Sequence, residues 1–445
     1  MPKKLILINP VSELREGFAI NILSRYPPLS LGIIASLTPP DWEIEILDEN
    51  FEKFVYKEAD LVGITAFTPS AFRAYQIAEE YKKKGVKVVM GGIHASMVPE
   101  ETGNYVDSVV IGEAEGIWAK VISDFENGTL QKQYKAEILE FKNWPIPRHD
   151  LFHKGYAFDS IQTSRGCPMQ CDFCSVSIFN GCTYRQRPIE EVIEELKIIK
   201  RKLLFIIDDN ILGYGTKSEK RAIELFTRMK EENIQKEWFS HASLNFANNT
   251  EVMKTAAACG CKLIFIGFEA EGEDQLREMN KKMNLKMGAH TYKELTKRIN
   301  KYKIGVMGGF IMGLDTDTAE SVEKRKRFML KSHINIIGTS CLTPFPGTHL
   351  YKRLESENRI LKNNYPEDWQ HYDLLDVVYR PKNMTESELE KLVMQSWKLF
   401  YSKFNIVIRT FYTLLWTRNI SITKWVYSSN MHYRNVFVKS NIRSK

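Results

Sequence analysis

Short apolar runs separated by longer amphipathic stretches set the rhythm of the first 140 residues. LILIN (5–9), EIEIL (43–47), LVGIT (61–65), VKVVMGG (86–92) and SVVIG (108–112) are rich in β-branched and aliphatic side chains. Runs of that length and composition predict strands. Helical patterning fills several gaps between them, as over residues 71–84, whose charges gather towards the C-terminal end. Strand alternating with helix predicts a doubly wound α/β domain, because parallel neighbours need a crossover between them. Ligands in such sheets collect outside the carboxyl ends of the strands. Those ends are Asn9-Pro10, Thr65-Ala66-Phe67, Gly91-Gly92-Ile93-His94 and Gly112-Glu113.

The pattern breaks at KNWPIPRH (142–149), with two prolines and no periodicity, which predicts a boundary near residue 145. Alternation then resumes: SIQTS (160–164), LLFIID (203–208), HASLN (241–245), LIFIGFE (263–269), VMGGFIMGLD (306–315) and IIGTSCLTPF (336–345), with helical segments at 189–201, 217–233 and 320–331. Strands in that number predict a partial (β/α)6 barrel. After residue 350 the pattern is mainly helical, and Thr385 with Glu388 has the spacing of a capping box at the head of a helix over 385–401. The expected parts are therefore 1–145, 146–350 and 351–445.

Composition agrees with several domains: 445 residues exceed one ordinary core, with 43% hydrophobic and 26% charged residues. No 20-residue apolar run is present, and the chain opens into a strand instead of a signal-peptide core, so a cytoplasmic protein is expected. Charge is unevenly placed. Residues 401–445 hold eight Lys and Arg and no Asp or Glu, which leaves −1 of the net +7 for everything before them.

Three of the seven cysteines lie within eight residues, in TSRGCPMQCDFCSV (163–176) just after a strand. In a reducing compartment such a group points to a metal or redox site. Cys167, Cys171 and Cys174 have the spacing C-x3-C-x2-C. Thiolates hold iron–sulfur clusters, and a cubane needs four ligands, so a loop that offers three leaves one iron open to substrate. A Cys3His zinc site with His149 or His153 is the competing reading. Against it, structural zinc loops usually use C-x2-C pairs, and both histidines precede the first barrel strand. Cys182, Cys259, Cys261 and Cys341 are expected to be small buried hydrophobes.

C-x3-C-x-aromatic-C after the first barrel strand, with Phe173 as the aromatic, resembles the signature of the radical S-adenosylmethionine (SAM) superfamily. The resemblance implies a [4Fe–4S] cluster on the three cysteines, with SAM chelating the fourth iron and giving a 5′-deoxyadenosyl radical on reduction. It also implies SAM contacts further along: Asp208 and Asp209 in IIDDN, Ser243 in HASLNFA, Glu269 in IGFEA, and Gly308-Gly309 in GGFIMGLDTDT. LTPFPGTHLY (342–351) resembles the sixth strand and its exit loop. Each has a plainer reading beside it: Asp208 and Asp209 as cap or turn residues, Glu269 as a solvated strand-end carboxylate, the glycine pair as a bulge.

The front domain, through GITAFT (63–68), GGIHAS (91–96) and VVIGEAEG (109–116), resembles that of the B12-binding class of the superfamily. This implies cobalamin across the strand ends, near Pro10, Thr65, Phe67, Gly91, Gly92, His94, Gly112 and Glu113. His94 could sit beside the corrin or simply hydrogen-bond within its loop. The chain departs from many B12 domains in lacking D-x-H-x-x-G; its first loop is NPVSELREG (9–17), and no histidine precedes His94. A Rossmann nucleotide site is disfavoured, because no G-x-G-x-x-G follows the first strand.

WQHYDLLDVVYRPKNMT (369–385) and the helix after it resemble an extension that implies a helical cap over the barrel. FNIVIRTFYTLLW (404–416) mixes aromatics and aliphatics with isolated basic residues. Residues 401–445 can be read as a packed helix with a solvated basic face, as a peripheral membrane contact, or as a nucleic-acid contact, the last disfavoured for want of an RNA-binding fold. The expectation for the whole chain is a cobalamin-dependent radical SAM methyltransferase acting on an unactivated carbon of a small-molecule or lipid substrate. An electron donor such as flavodoxin or ferredoxin would serve it. Two alternatives remain: radical oxidation, cyclisation or rearrangement without methyl transfer, and a non-catalytic Fe–S or corrinoid-binding protein.

Overall fold

The computed structural model describes residues 2–12, 14 and 25–439. Part of the first loop (13 and 15–17) and the basic residues Arg443 and Lys445 lie outside the described residues.

The front sheet is built from β1 (Lys4–Asn9), β2 (Glu43–Asp48), β3 (Leu61–Thr65), β4 (Lys87–Gly91), β5 (Ser108–Ile111) and β6 (Gln133–Lys135). All pair in parallel, in the order β2-β1-β3-β4-β5-β6. Leu5, Ile6, Leu7 and Ile8 are all buried, the unbroken apolar run of a strand covered on both faces. Because β2 and β3 flank β1 on opposite sides, the order reverses at β1, and the strand ends there open into a crevice.

Two elements were not expected. β6 is an edge strand with one buried residue, Tyr134, too little apolar surface to announce itself. The helix Leu29–Leu37 (LSLGIIASL) has no polar face because it is covered from two directions. Leu31 and Ala35 pack on the β1 side of the sheet, while Leu29 and Ile33 pack against Phe152 after the linker.

No helix or strand occurs from 136 to 148. The second sheet follows: β7 (Phe158–Ile161), then a two-residue antiparallel ribbon of β8 (Ser164–Arg165) and β9 (Arg185–Gln186). It continues with β10 (Leu203–Ile206), β11 (Glu237–Ala242), β12 (Cys261–Glu269), β13 (Gly305–Met312) and β14 (Ile336–Cys341). Its parallel strands lie side by side in chain order from β7 to β14, the ribbon aside, forming the expected open partial barrel. Along β11, Trp238, Ser240 and Ala242 are buried towards the helix layer, and Phe239 and His241 alternate with them. The stretch expected as strand 241–245 therefore begins earlier and ends at Ala242; Leu244–Asn248 is a 3-10 turn.

Of the expected cap, formed by 369–385 and the helix after it, the segment 369–385 is largely non-helical while the helix Glu386–Phe400 packs on the barrel. Only Glu367–His371 is helical, as one 3-10 turn. Trp369, Tyr372 and Val378 belong to the core of the front sheet, and Trp369 Nε1 donates to the Glu101 carboxylate at 2.9 Å. This strap ties the C-terminal third to the front sheet. The helix Glu386–Phe400 has its capping box: Thr385 Oγ1 accepts from Glu388 N at 3.2 Å, and Thr385 N donates to Glu388 Oε2 at 2.7 Å. Leu389, Val393 and Trp397 of that helix join the barrel core. Among the described residues no helix is long and apolar enough to cross a membrane.

Candidate active site

The loop that carries Cys167, Cys171 and Cys174 is tethered at both ends. Asp208, just past β10, is buried and accepts from Thr163 N and Thr163 Oγ1, both at 2.6 Å, and from Ser164 Oγ at 2.7 Å. Asp209 accepts from Gly166 N at 2.9 Å and from Asn180 Nδ2 at 3.0 Å. Burial raises both carboxyls above the usual range against these hydrogen bonds. Gly166 has φ +83°, and a Cβ there would overlap the Thr183 carbonyl oxygen, so the turn into the cysteine loop requires glycine. Farther on, Asn280 Nδ2 donates to the Gln170 carbonyl at 2.9 Å and Leu350 N to that of Asp172 at 3.0 Å. Asp208 thus spends both carboxylate oxygens, and Asp209 its Oδ2, on holding the loop.

The three cysteines are partly buried. Burial raises their thiols, that of Cys174 to about 12. Bound iron would override that penalty, because a coordinated thiol is deprotonated outright. Three thiols on a clamped loop suit an iron–sulfur cluster as a donor set. Cys259, Cys261 and Cys341 are buried as expected, but Cys182 is exposed on the far arm of the loop.

The histidines of the zinc reading face elsewhere. His149 Nε2 is 3.0 Å from Glu195 and its Nδ1 is 3.7 Å from Asp159. His153 stacks on Phe51 at 4.0 Å. Neither is turned towards the cysteines, so the Cys3His reading fails on geometry. Burial alone would lower the His149 imidazole, but the carboxylates of Asp159 and Glu195 outweigh it and hold it at about 9. The unfolded-chain value is about 6.5, so the pair's contribution, on the order of 3 kcal/mol, is complete below that pH and is lost as pH rises through about 9. Thermal melting between about pH 6 and 10 should show a decline on the alkaline side that His149→Gln flattens.

Glu269 ends β12 with φ +63°, at a register shift between Gly267 and Glu269. A left-handed glutamate is uncommon, and such backbone clusters at functional sites. Its Oε1 accepts from Lys281 Nζ at 2.9 Å. Burial would lower the lysine, but the Glu269 carboxylate raises it above its ordinary value, and it lies close enough to Cys171 and Cys174 to act on their charge. Lys281 was not singled out in the sequence. Nothing local separates it from neighbouring lysines, and its partner lies across a turn. Lys281→Met leaves a buried carboxylate unpaired and should cost about 3–5 kcal/mol in denaturant unfolding, with Glu269→Gln in the same chain recovering most of it.

Phe173, Glu269 and Gly309 come together in the wall of a cavity of about 540 Å³. Phe265, Phe310, Ile311, Phe345, Tyr433 and Phe437 make that wall largely apolar. Gly308 is not part of it. A Cβ there would stand 2.8 Å from Phe268, so that glycine makes room in the helix layer, whereas one on Gly309 would meet Phe265 at 2.7 Å. Ser243 accepts from Asn210 Nδ2 at 3.0 Å and is also outside the cavity wall. His241, between Phe205 and Phe265 with its Nδ1 3.3 Å from the Asp208 carbonyl, is a second polar group the sequence reading passed over. Burial keeps it below its ordinary pKa, hence neutral at pH 7. Its signal was its place two residues before Ser243, on the same alternation as Phe239.

At the ends of the front strands, Phe67 is 73% exposed after β3. Pro10 is buried and Thr65 half-buried. Gly92 has φ +90° and packs beside Thr65, while a Cβ on Gly91 would still have ordinary van der Waals room. Ser96 Oγ receives the Gly112 amide at 2.9 Å, joining the β4 and β5 ends. His94 is turned inward: fully buried, it is 3.1 Å from Tyr75 Oη and 3.3 Å from Thr68 Oγ1, with Trp369 edge-on to its ring. That geometry favours the hydrogen-bonding reading of His94 over a corrin neighbour. Glu113 is likewise engaged. Its carboxylate pairs with Arg185, 2.9 Å from Nη1, and lies 3.3 Å from Arg165 Nη1. Glu115 takes Arg165 Nη2 at 2.7 Å, and Trp144 covers the same guanidinium at 4.4 Å. Since both arginines belong to the β8–β9 ribbon flanking the cysteine loop, these ion pairs bring the ends of the front sheet to that loop.

Comparisons with known proteins follow the same two-sheet division. The family model for the radical SAM superfamily matches residues 161–329, and that for the B12 binding domain matches residues 16–122. Over 406 residues the chain is 30% identical to bacteriochlorophyllide d C-8(2)-methyltransferase of Chlorobaculum tepidum, covering 86% of this chain and 87% of that relative. It is 28% identical over 364 residues to the hopanoid C-2 methylase of Rhodopseudomonas palustris, covering 78% and 68%. The solved structure of the cobalamin-dependent SAM radical enzyme OxsB, with aqua-cobalamin and SAM bound, superposes with a TM-score of 0.71 at 16% identity. That superposition covers 98% of this chain and 72% of the other, and at such identity the likeness is one of fold.

Proposed function

Because the chain belongs to the B12-binding-domain class of the radical SAM superfamily, we propose that it is a cobalamin-dependent methyltransferase that alkylates an unactivated carbon of an apolar small molecule. The carrying observation is the pairing of Glu113 and Glu115 at the front strand ends with Arg165 and Arg185 beside the cysteine loop. Methyl delivery and radical generation must reach one substrate atom, and this clamp supports a shared site for both.

In this reading Cys167, Cys171 and Cys174 would hold a [4Fe–4S] cluster, Phe173 and Glu269 would contact SAM, and the strand ends at Phe67, Gly91 and Gly92 would hold cobalamin. When bound, these groups would supply hydrogen abstraction from the substrate and a methyl group in its place. The protein's own share is positional. Asp208 and Asp209 fix the loop, Lys281 sets positive charge beside the thiolates and orients Glu269, and the cavity's aromatic wall excludes water from a reactive radical.

Away from Phe173 and Glu269 the cavity wall is made by Phe265, Phe310, Ile311, Phe345, Tyr433 and Phe437, an apolar lining that suits a ring system or lipid as substrate. Two relatives are named for methylating a bacteriochlorophyllide and a hopanoid, which agrees with that class. A one-electron donor of the flavodoxin or ferredoxin kind completes the reading. The test is to supply the anaerobically reconstituted protein with methyl-labelled SAM and the apolar fraction of a cell extract. The expected result is one apolar compound gaining the label, with matching deoxyadenosine. Deoxyadenosine formed while a different, unlabelled product appears would replace methyl transfer by radical rearrangement or oxidation.

A further inference from the structure

The helix Lys403–Thr417 is amphipathic with its polar side inward. Ile406, Arg409, Thr413 and Thr417 are buried. Arg409 Nη2 donates to the Phe400 carbonyl and to Asn430 Oδ1, at 2.6 and 2.8 Å, and Thr413 Oγ1 accepts from Asn335 Nδ2 at 2.9 Å. The opposite stripe, at helical spacing, consists of Phe404 (74% exposed), Val407 (62%), Phe411 (60%), Leu414 and Leu415. Ile420 and Tyr427 of the next helix, Ile420–Arg434, are exposed as well. Water normally meets the polar side of a surface helix, and a contiguous apolar stripe that faces out marks an interaction surface.

Charge selects the occupant. Lys403, Arg418 and Lys424 are exposed around the stripe, and residues 401–445 contain no acidic residue. A second copy meeting the same face would bring like charge against like charge in a partly dried interface, whereas an anionic lipid surface offers hydrocarbon for the stripe and phosphate for its rim. We propose that the helix Lys403–Thr417 and the adjoining end of Ile420–Arg434 form a docking face for an anionic membrane surface, the protein lying on the bilayer without crossing it. The same C-terminal segment lends His432, Tyr433, Val436 and Phe437 to the cavity wall, which makes the docking face and that wall neighbours in the chain.

The test needs no substrate and no loaded cofactor, so it stands or falls apart from the proposed chemistry. The full chain is sedimented with phosphatidylcholine vesicles, with and without about one-third phosphatidylglycerol. The expected result is binding to the anionic vesicles, weakened at least about tenfold by Phe404→Ser with Phe411→Ser. Lys403→Gln with Arg418→Gln and Lys424→Gln should weaken it by about fivefold per charge. These side chains are exposed, so melting curves of the variants should match the parent. Binding to neither vesicle would overturn the proposal. So would a dimer in sizing experiments that Phe404→Ser with Phe411→Ser disperses, or retention by RNA with none by vesicles.

Discussion

Cys171→Ala is expected to abolish formation of 5′-deoxyadenosine, with a loss of at least about a thousandfold in anaerobic turnover. The reason is arithmetic as much as chemistry. The loop offers three thiols to a four-iron cluster, and removing one leaves two, below what holds a cubane with an iron free for SAM. Iron and sulfide content should fall with activity, while the far-ultraviolet dichroism stays that of the parent, because the loop is fixed by Asp208, Asp209 and Asn280 and not by the cysteines themselves. A Cys171→Ala chain that still released deoxyadenosine would remove the cluster from this loop. Cys182→Ala, which alters an exposed thiol on the far arm of the loop, should leave iron content unchanged.

Glu113→Ala is expected to separate the two half-reactions. Glu113 is a buried carboxylate held between Arg165 and Arg185, and its loss leaves Arg185 with carbonyl acceptors only, while Arg165 keeps Glu115. Breaking such a pair costs about 3–5 kcal/mol, equivalent to roughly two-hundred- to five-thousandfold in the equilibrium that holds the front strand ends on the ribbon. Methyl transfer needs both sheets in register and should fall by about that factor. SAM cleavage needs only the barrel and should persist, so the ratio of deoxyadenosine to methylated product rises. The conservative Glu113→Gln, which keeps hydrogen-bond acceptance but not charge, should fall between the two. Equal loss of both products in Glu113→Ala would mean that the clamp supports the barrel itself.

The parallel architecture was legible because it rests on short-range pattern. Buried parallel strands read as apolar runs, and Leu5–Ile8 or Ile264–Ile266 would be hard to place otherwise. Glu388 and Thr385 announced their helix because a capping box is complete within four residues. The helix Leu29–Leu37 escaped because covering it on two sides erased the amphipathic signal. Polar residues fared worse, since their meaning is set by partners far along the chain. Asp208 reaches back 45 residues to Thr163, and Glu113 forward 72 to Arg185. In sequence both look like free strand-end carboxylates. His94 looked equally available at a strand end, yet Trp369, from the C-terminal third, closes over it. The outward apolar stripe at Phe404–Leu415 showed as mixed aromatic and basic sequence. Which side faced water depended on Asn335 and Asn430.

The most direct measurement combines corrinoid retention with product analysis on the anaerobically reconstituted chain. Iron, sulfide and hydroxocobalamin are supplied, excess corrinoid is removed, and methyl-labelled SAM is added with a reductant. The expected result is about one corrinoid retained per chain, labelled methyl recovered on it, and deoxyadenosine released in the same vessel. Deoxyadenosine without retained corrinoid would contradict methyl transfer. Retained corrinoid without deoxyadenosine, in protein with a full complement of iron, would contradict radical chemistry itself.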